Sequence, residues 1–374
     1  MNTGATKSQM HILMGVVPNV LTGGVPAGTD DVTSCLESFD DVVVKRFRYG
    51  RRREHESTIS KTTRTLIDLV HVVVMLLVRR PDIVHLHSGF NRNGILRDFM
   101  YVILFKSFKL PTVFFYHGSD PIKVAGSRFL NSLGKILIAK ADLVGFLSEE
   151  EILMVKKRYP KGRYYRFKLA TNVNKRIKNL DSLRVSSSQL TILFIARFVE
   201  KKGPLDVLRA FSLLGVKYEY VRLVMVGNGT VWNDCRRLAE ELSIGHKTEF
   251  VGQVSEDEAR KYYASSQIMV LPTYFAEGFP MAILFSLIDG LAIITTRIRG
   301  AADYLSEPAN CLWVEAKKPE MLADRMRRLI DDEPLRAKMG EANKKLATVF
   351  DASLVAAEQL SMYKTLLADC ESKN

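Results

Sequence analysis

Short apolar runs alternate with amphipathic stretches along most of the chain. In the first half the runs Met10–Val17, Asp41–Lys45, Asp82–His87, Pro111–Tyr116 and Asp142–Leu147 are rich in Val, Ile, Leu and Phe, without polar alternation. Unbroken runs of that length suit strands covered on both faces, as in a parallel sheet. Thr63–Arg80 and Leu96–Lys109 carry the helical period between them. Strand, helix and strand in succession predict βαβ units and a doubly wound sheet. The pattern stops at Thr171–Gln189, a polar, charged, serine-rich stretch that reads as a linker or domain edge. It resumes with strands at Leu190–Ala196, Val221–Gly227, Thr248–Gly252, Gln267–Pro272, Leu291–Thr296 and Cys311–Val314, and from about Lys318 the chain reads as helical to its end. The expected class is α/β, with two doubly wound parallel-sheet domains facing a cleft. Ligands of such sheets bind beyond the carboxyl ends of the strands, so the loops there are the candidate sites.

Composition narrows the class. The chain has 374 residues, 47% hydrophobic and 25% charged, which excludes extended disorder and fits two domains. Its four cysteines lie far apart, which argues against a disulfide framework or a cysteine zinc site and fits a reducing compartment. The start, MNTGATKSQM, lacks the apolar stretch of a signal peptide. The most apolar run, Thr65–Arg79, is interrupted by Asp68 and His71 and is shorter than the roughly 20 residues that span a bilayer. The expectation is a cytoplasmic protein, peripheral at the inner face of the cell membrane.

Charge adds a partner class. The formal net charge is +13, and residues 1–185 hold 30 Lys+Arg and 16 Asp+Glu whereas residues 186–374 hold 24 and 25. The excess clusters at Lys45–Arg53 and Lys156–Lys168. A one-sided basic surface points to a phosphate-bearing partner.

Four strand-end loops can carry chemistry. The glycine-rich loop Asn19–Gly28, with Gly23 and Gly24, follows the first strand and is neither a G-x-G-x-x-G fingerprint nor a P-loop. His117 ends the fourth strand beside Gly118 and Ser119, where it can donate to a substrate; of His85 and His87, one faces a helix packed on the sheet. Arg197 and Lys202 share one strand–loop–helix elbow with Gly203, and two cations plus helix amides suit a diphosphate. Pro272–Pro280 is the most specific: Glu277 precedes Gly278, Phe279 and Pro280, and a helical run begins at Met281.

These residues resemble the donor half of a GT-B-fold glycosyltransferase of family 4, the group 1 glycosyl transferases. The motifs are Arg197 and Lys202 before Gly203, Val226–Gly229, Gly252 before Ser255–Glu258, and Leu271-Pro-Thr followed by Glu277–Pro280. The loop 22–28, His117–Asp120 and Ala141–Glu151 resemble the acceptor half. The resemblance implies two Rossmann-like domains: an acceptor-binding one at residues 1–172, joined by a C-terminal crossover helix at about 353–374, and a donor-binding one at 187–352. It also implies retaining transfer from a nucleotide diphosphosugar with no metal or other cofactor. Glu277 then contacts the donor sugar, Arg197 and Lys202 stabilise the diphosphate, and His117 lies near the reacting sugar. Gly23 and Gly24 sit beneath the phosphates, while Gly227 and the segment Gly278, Phe279, Pro280 and Met281 complete the donor cradle. Two positions depart from the pattern. Phe285 stands where the family carries a second glutamate that contacts the ribose, so that contact is missing or supplied elsewhere, and Phe285 can instead pack in the core. Arg299–Asp303 replaces the usual Gly-Gly-x-x-Glu.

The basic first half then suits a lipid-linked or surface-polysaccharide acceptor at an anionic membrane, with Phe47, Arg48, Tyr49 and Arg51, Arg52 and Arg53 as the docking surface. Two other readings are a GT-B-type nucleotide-sugar epimerase or hydrolase and a basic nucleic-acid-binding protein. The sequence offers no helix-turn-helix, zinc-finger or RNP signature, so nucleic acid is not an expected partner.

Overall fold

The computed structural model describes residues 9–16, 24–50, 58–119, 124, 126–178 and 189–372. The chain folds into two compact units. One comprises residues 1–172, Ala276–Gly278 and Phe350–Asn374; the other comprises Val173–Phe275 and Phe279–Val349.

The first unit is built on a six-stranded, all-parallel sheet of order β2-β1-β3-β4-β5-β6. The strands are β1 (Met10–Val16), β2 (Val42–Arg48), β3 (Ile83–Phe90), β4 (Thr112–Ser119), β5 (Leu143–Phe146) and β6 (Tyr164–Arg166). Helices α1 (Gly24–Glu37), α2 (Thr58–Val78), α3 (Arg92–Ser107), α4 (Arg128–Lys140) and α5 (Glu149–Arg158) connect them. The central strands are buried along most of their length, as their apolar runs require. The sixth strand is an addition to the expected set. The expected loop 19–28 is also shorter than its glycines suggest, because α1 already begins at Gly24.

The basic cluster on β2 is corrected by the strand period. Phe47 and Tyr49 are in the core, not on a docking surface: both are buried and their rings lie 6.0 and 5.0 Å from that of Tyr101. Successive side chains of a strand point to opposite faces, so Arg46 and Arg48 take the other side. Arg46 pairs with Asp30 and Glu37. Arg51, Arg52 and Arg53 lie outside the described residues. In the second cluster, Lys168 and Arg163 pair with Glu358 and Asp369 of the C-terminal helix, so part of that charge fastens a helix.

The second unit repeats the plan with strand order β12-β11-β10-β7-β8-β9, again all parallel. Its strands are β7 (Leu190–Ile195), β8 (Val221–Val226), β9 (Thr248–Gly252), β10 (Ile268–Leu271), β11 (Ala292–Thr296) and β12 (Cys311–Val314). The stretch read as a linker instead begins with a helix, α6 (Val173–Lys178). Then follow α7 (Pro204–Ser212), α8 (Trp232–Glu241), α9 (Glu256–Ala264), α10 (Met281–Asp289), α11 (Arg299–Tyr304), α12 (Pro319–Asp331) and α13 (Glu333–Ala347). The last helix, α14 (Ala352–Glu371), returns to the first unit. Its Tyr363 hydroxyl lies 2.5 Å from His85 Nδ1, and Lys364 pairs with Asp41. No helix among the described residues is long and apolar enough to cross a membrane.

Candidate active site

At the carboxyl edge of the second sheet, β7 ends at Ile195 and the chain turns through Ala196–Gly203 into α7. Gly203 sits in the left-handed region (φ 76°), and a Cβ there would lie 2.8 Å from the Pro272 ring. That close approach brings the elbow against the loop that follows β10. Arg197 is exposed and Lys202 is only 6% exposed. Both cations lie 5.3 Å from the centroid of the Phe275 ring, within reach of a cation–π attraction. The structure thus brings these two predicted residues together around an aromatic ring that sequence reasoning did not single out.

Hydrogen bonds fix the surrounding loops to one another. The Tyr274 amide donates to the Lys201 carbonyl (2.8 Å), as does the Thr273 hydroxyl (3.3 Å), and the Tyr274 hydroxyl donates to Glu200 (3.2 Å). The Thr296 hydroxyl, at the end of β11, donates to the Thr273 carbonyl. On the other side the Phe198 amide donates to the Asn228 carbonyl (3.0 Å). Gly227 has φ 129°, and a Cβ there would collide with the Ala196 carbonyl oxygen, so loop packing alone demands this glycine.

Glu277 is half-buried in the loop 272–280, within the short segment Ala276–Gly278 that groups with the first unit. Phe279 and Pro280 are buried, and α10 starts at Met281 with no side-chain cap from Pro280. The amides of Ile283 and Leu284 donate back to the Pro280 carbonyl (3.0 and 3.3 Å). Met281 and Ala282 therefore form the positive end of the helix, a position suited to an anion. Arg197, Lys202 and this helix end share one edge of one sheet.

Phe285 packs in the core. It is 6% exposed, and its ring lies 4.0 Å from the Arg176 guanidinium carbon and 5.8 Å from the Tyr263 ring. Arg176 in turn pairs with Asp289 at 3.4 Å. The position holds no side chain able to accept a bond from a ribose hydroxyl. Arg299 is buried at the start of α11, with φ 43°.

In the first unit His117 Nε2 lies 2.8 Å from His87 Nδ1, so one imidazole donates to the other. Its Nδ1 is buried with no hydrogen-bond partner among the described residues. His117 faces a narrow cavity with Gly28, Thr29, His87, Phe167 and Gln359. His85 and His87, two residues apart on one strand face, both turn toward this side: their rings are 4.3 Å apart, and His85 meets Tyr363. Gly24 opens α1, and Gly23 lies outside the described residues. No group of three or more His, Cys, Asp or Glu among the described residues could hold a metal ion.

Burial holds all three histidines neutral. It pushes His85 down to about 3 and His117 to about 4, and it depresses His87, with the neighbouring imidazoles adding to His85 and His87. The unfolded chain takes up these protons near pH 6.5, so the stability contributed by neutral imidazoles is present above that pH and is lost as pH falls toward 4. Thermal melts should show the melting temperature dropping from pH 7 to 5.5, with a smaller drop in His87→Gln.

Residues 175–346 match the family model of glycosyl transferases group 1. A Campylobacter jejuni N,N'-diacetylbacillosaminyl-diphospho-undecaprenol alpha-1,3-N-acetylgalactosaminyltransferase is 26% identical over 176 residues, 47% of this chain and 45% of that protein. The chain spans about half the length of the curated relatives it matches. Among solved structures, a Thermosynechococcus elongatus sucrose-phosphate synthase superposes with a TM-score of 0.77 at 18% identity, covering 96% of this chain and all of that one. Anabaena HepE in complex with UDP-glucose superposes with a TM-score of 0.69 at 15% identity, covering 95% of this chain and all of that one. These likenesses establish the GT-B architecture, two Rossmann-like α/β domains.

Proposed function

We propose that this chain is a group 1 glycosyltransferase of family 4, a retaining, metal-independent enzyme that moves a hexose from a nucleotide diphosphosugar to an acceptor hydroxyl. The acceptor is a lipid-linked or surface-polysaccharide precursor. The observation that carries this reading is the pair Arg197 and Lys202, both 5.3 Å from the Phe275 ring at the strand edge where α10 also begins. Support for a nucleotide-sugar donor comes from the UDP-glucose bound by HepE, and support for a lipid-linked acceptor from the diphospho-undecaprenol named for the Campylobacter relative.

The reaction breaks the bond between the anomeric carbon and a diphosphate oxygen. Negative charge develops on the departing diphosphate, and fixed cations and amides lower the barrier most when aimed at that charge. Arg197 offers two parallel N–H donors and Lys202 a compact charge. The acceptor oxygen bonds to the anomeric carbon on the face the diphosphate leaves, and its proton passes to the departing diphosphate oxygen. Glu277 accepts hydrogen bonds from the donor sugar and orients it. His117, neutral and anchored by His87, is the residue of the first unit assigned to the reacting sugar.

The ribose lacks the carboxylate partner that Phe285 replaces. A hydrogen bond to a charged group contributes about 1.5–3 kcal/mol, so nucleotide affinity here depends more on the diphosphate contacts.

Glu277→Ala tests the assignment directly. Transfer of sugar to acceptor should fall at least a hundredfold in purified protein of unchanged melting temperature. Turnover near that of the unsubstituted chain would refute the role of Glu277. Release of nucleotide that proceeds equally without acceptor would favour a hydrolase or epimerase over a transferase.

A further inference from the structure

Helix α2 is apolar on both sides. Its inner side places Val72, Met75 and Leu76 in the core. Its outer side carries Leu66, Ile67, Val70, Val74, Leu77 and Val78, each between 52% and 76% exposed. These positions recur at intervals of three and four, so they form one continuous stripe along the helix. The stripe continues into a shallow groove completed by Met100 and Ile103 of α3. Scattered apolar side chains on a surface are ordinary, but a contiguous patch of this kind marks an interaction surface.

Charge and length identify the partner. The helix and the two residues after it, residues 58–80, hold four Lys/Arg and one Asp/Glu. Arg79 and Arg80 are exposed immediately after the stripe ends. Cations at the end of an apolar stripe are complementary to a surface that is anionic outside and apolar beneath, and they disfavour a second copy carrying the same charge. The apolar part of the helix, Leu66–Val78, is about 20 Å long at about 1.5 Å per residue, short of the roughly 30 Å hydrocarbon core of a bilayer. It can lie in a membrane interface but not cross it.

We propose that the outer face of α2 docks this protein on an anionic lipid bilayer, with the helix lying in the interface plane. The arginines at its end engage lipid phosphates. The side chains Ile67, Val70, Val74 and Leu77 enter the boundary between headgroups and acyl chains. This goes beyond the glycosyl-transfer reading and does not depend on it. Electrostatic attraction brings the protein to the surface and weakens with salt, whereas the apolar contact resists salt.

Co-sedimentation of the full chain with phosphatidylcholine vesicles, with and without phosphatidylglycerol, tests this in the absence of nucleotide sugar. Binding is expected to the vesicles containing phosphatidylglycerol, with a fraction retained at high salt. Arg79→Gln with Arg80→Gln should weaken binding about 25-fold, since each basic residue near the surface contributes about fivefold. Ile67→Gln with Val70→Gln and Val74→Gln should weaken it at least about tenfold and remove the salt-resistant fraction. All five positions are solvent-exposed, and an unchanged melting temperature confirms that the variants fold. No vesicle binding would overturn the proposal, as would binding unaffected by the three glutamines. A concentration-dependent dimer dissolved by the same three glutamines, without vesicle binding, would overturn it in favour of a second copy. A failure here leaves donor binding untouched, and a failure of donor binding leaves this result untouched.

Discussion

Replacing Lys202 by methionine is expected to lower turnover with a nucleotide sugar by about 10²–10³-fold while leaving the melting temperature near its original value. Methionine preserves the length and apolar stem of a side chain that is only 6% exposed, so the change removes charge with little change in packing. Removing one preorganised donor from a site where charge develops costs about 2.7–4 kcal/mol of transition-state stabilisation. Arg197→Lys keeps the charge but loses the two-pronged geometry, and a loss of about tenfold is expected. The contrast between the two variants separates charge from geometry. A Lys202→Met protein with kcat/KM within threefold of the original would remove Lys202 from the machinery.

The largest stability effect is expected at Asp98, a fully buried carboxylate on α3. It accepts from the Tyr49 hydroxyl, from the Ser88 hydroxyl at 2.6 Å and from Arg97 Nε at 3.0 Å. The Arg97 guanidinium also donates to Ser88 (2.6 Å) and lies 4.0 Å from the centroid of the Tyr49 ring. Burial raises the Asp98 pKa despite this cation, which shows how costly the charge is to keep inside. Asp98→Ala would strand a guanidinium and two hydroxyls, and breaking a buried charged pair from one side costs about 3–5 kcal/mol. For a unit of this size that corresponds to a fall of about 10 °C in melting temperature, read by calorimetry. Asp98→Asn keeps shape and one acceptor and should cost less. A loss below about 0.5 kcal/mol in the alanine variant would show that the network is not structural.

The two sheets are legible in the sequence because their central strands are covered on both faces. Ile192–Ile195 and Ile268–Leu271, for instance, show unbroken apolar runs, the pattern of strands covered on both faces. The edge strand Tyr164–Arg166 is not legible: it has three partly exposed residues inside a basic stretch, too short for a period to show. Helix α6 is hidden for a different reason. Its Arg176 owes its buried position to Asp289 and Phe285, more than a hundred residues away. The loop reading of Gly24 gives way because Pro26 is tolerated in the first turn of a helix and does not end it.

The candidate site divides the same way. Arg197, Lys202 and Glu277 stand out because their residue types sit at strand ends where no packing role demands them. Phe275, which lies near both cations, looks like an ordinary loop aromatic until the fold brings two loops together. His87 resembles a sheet residue because its partner His117 belongs to the next strand, thirty residues on. On β2 the arginines and aromatics of Arg46–Tyr49 look like a mixed surface patch, yet their alternation is the strand period that sorts them to opposite faces.

The sharpest measurement is a calorimetric titration of UDP-, GDP- and ADP-sugars into the full chain and into Arg197→Ala/Lys202→Met. At least one nucleotide sugar should bind the original protein saturably and raise its melting temperature with concentration. The double variant should bind that sugar at least about a hundredfold more weakly while melting at its own ligand-free temperature. If no nucleotide sugar binds, or if the double variant binds one equally well, these two cations do not hold an activated sugar.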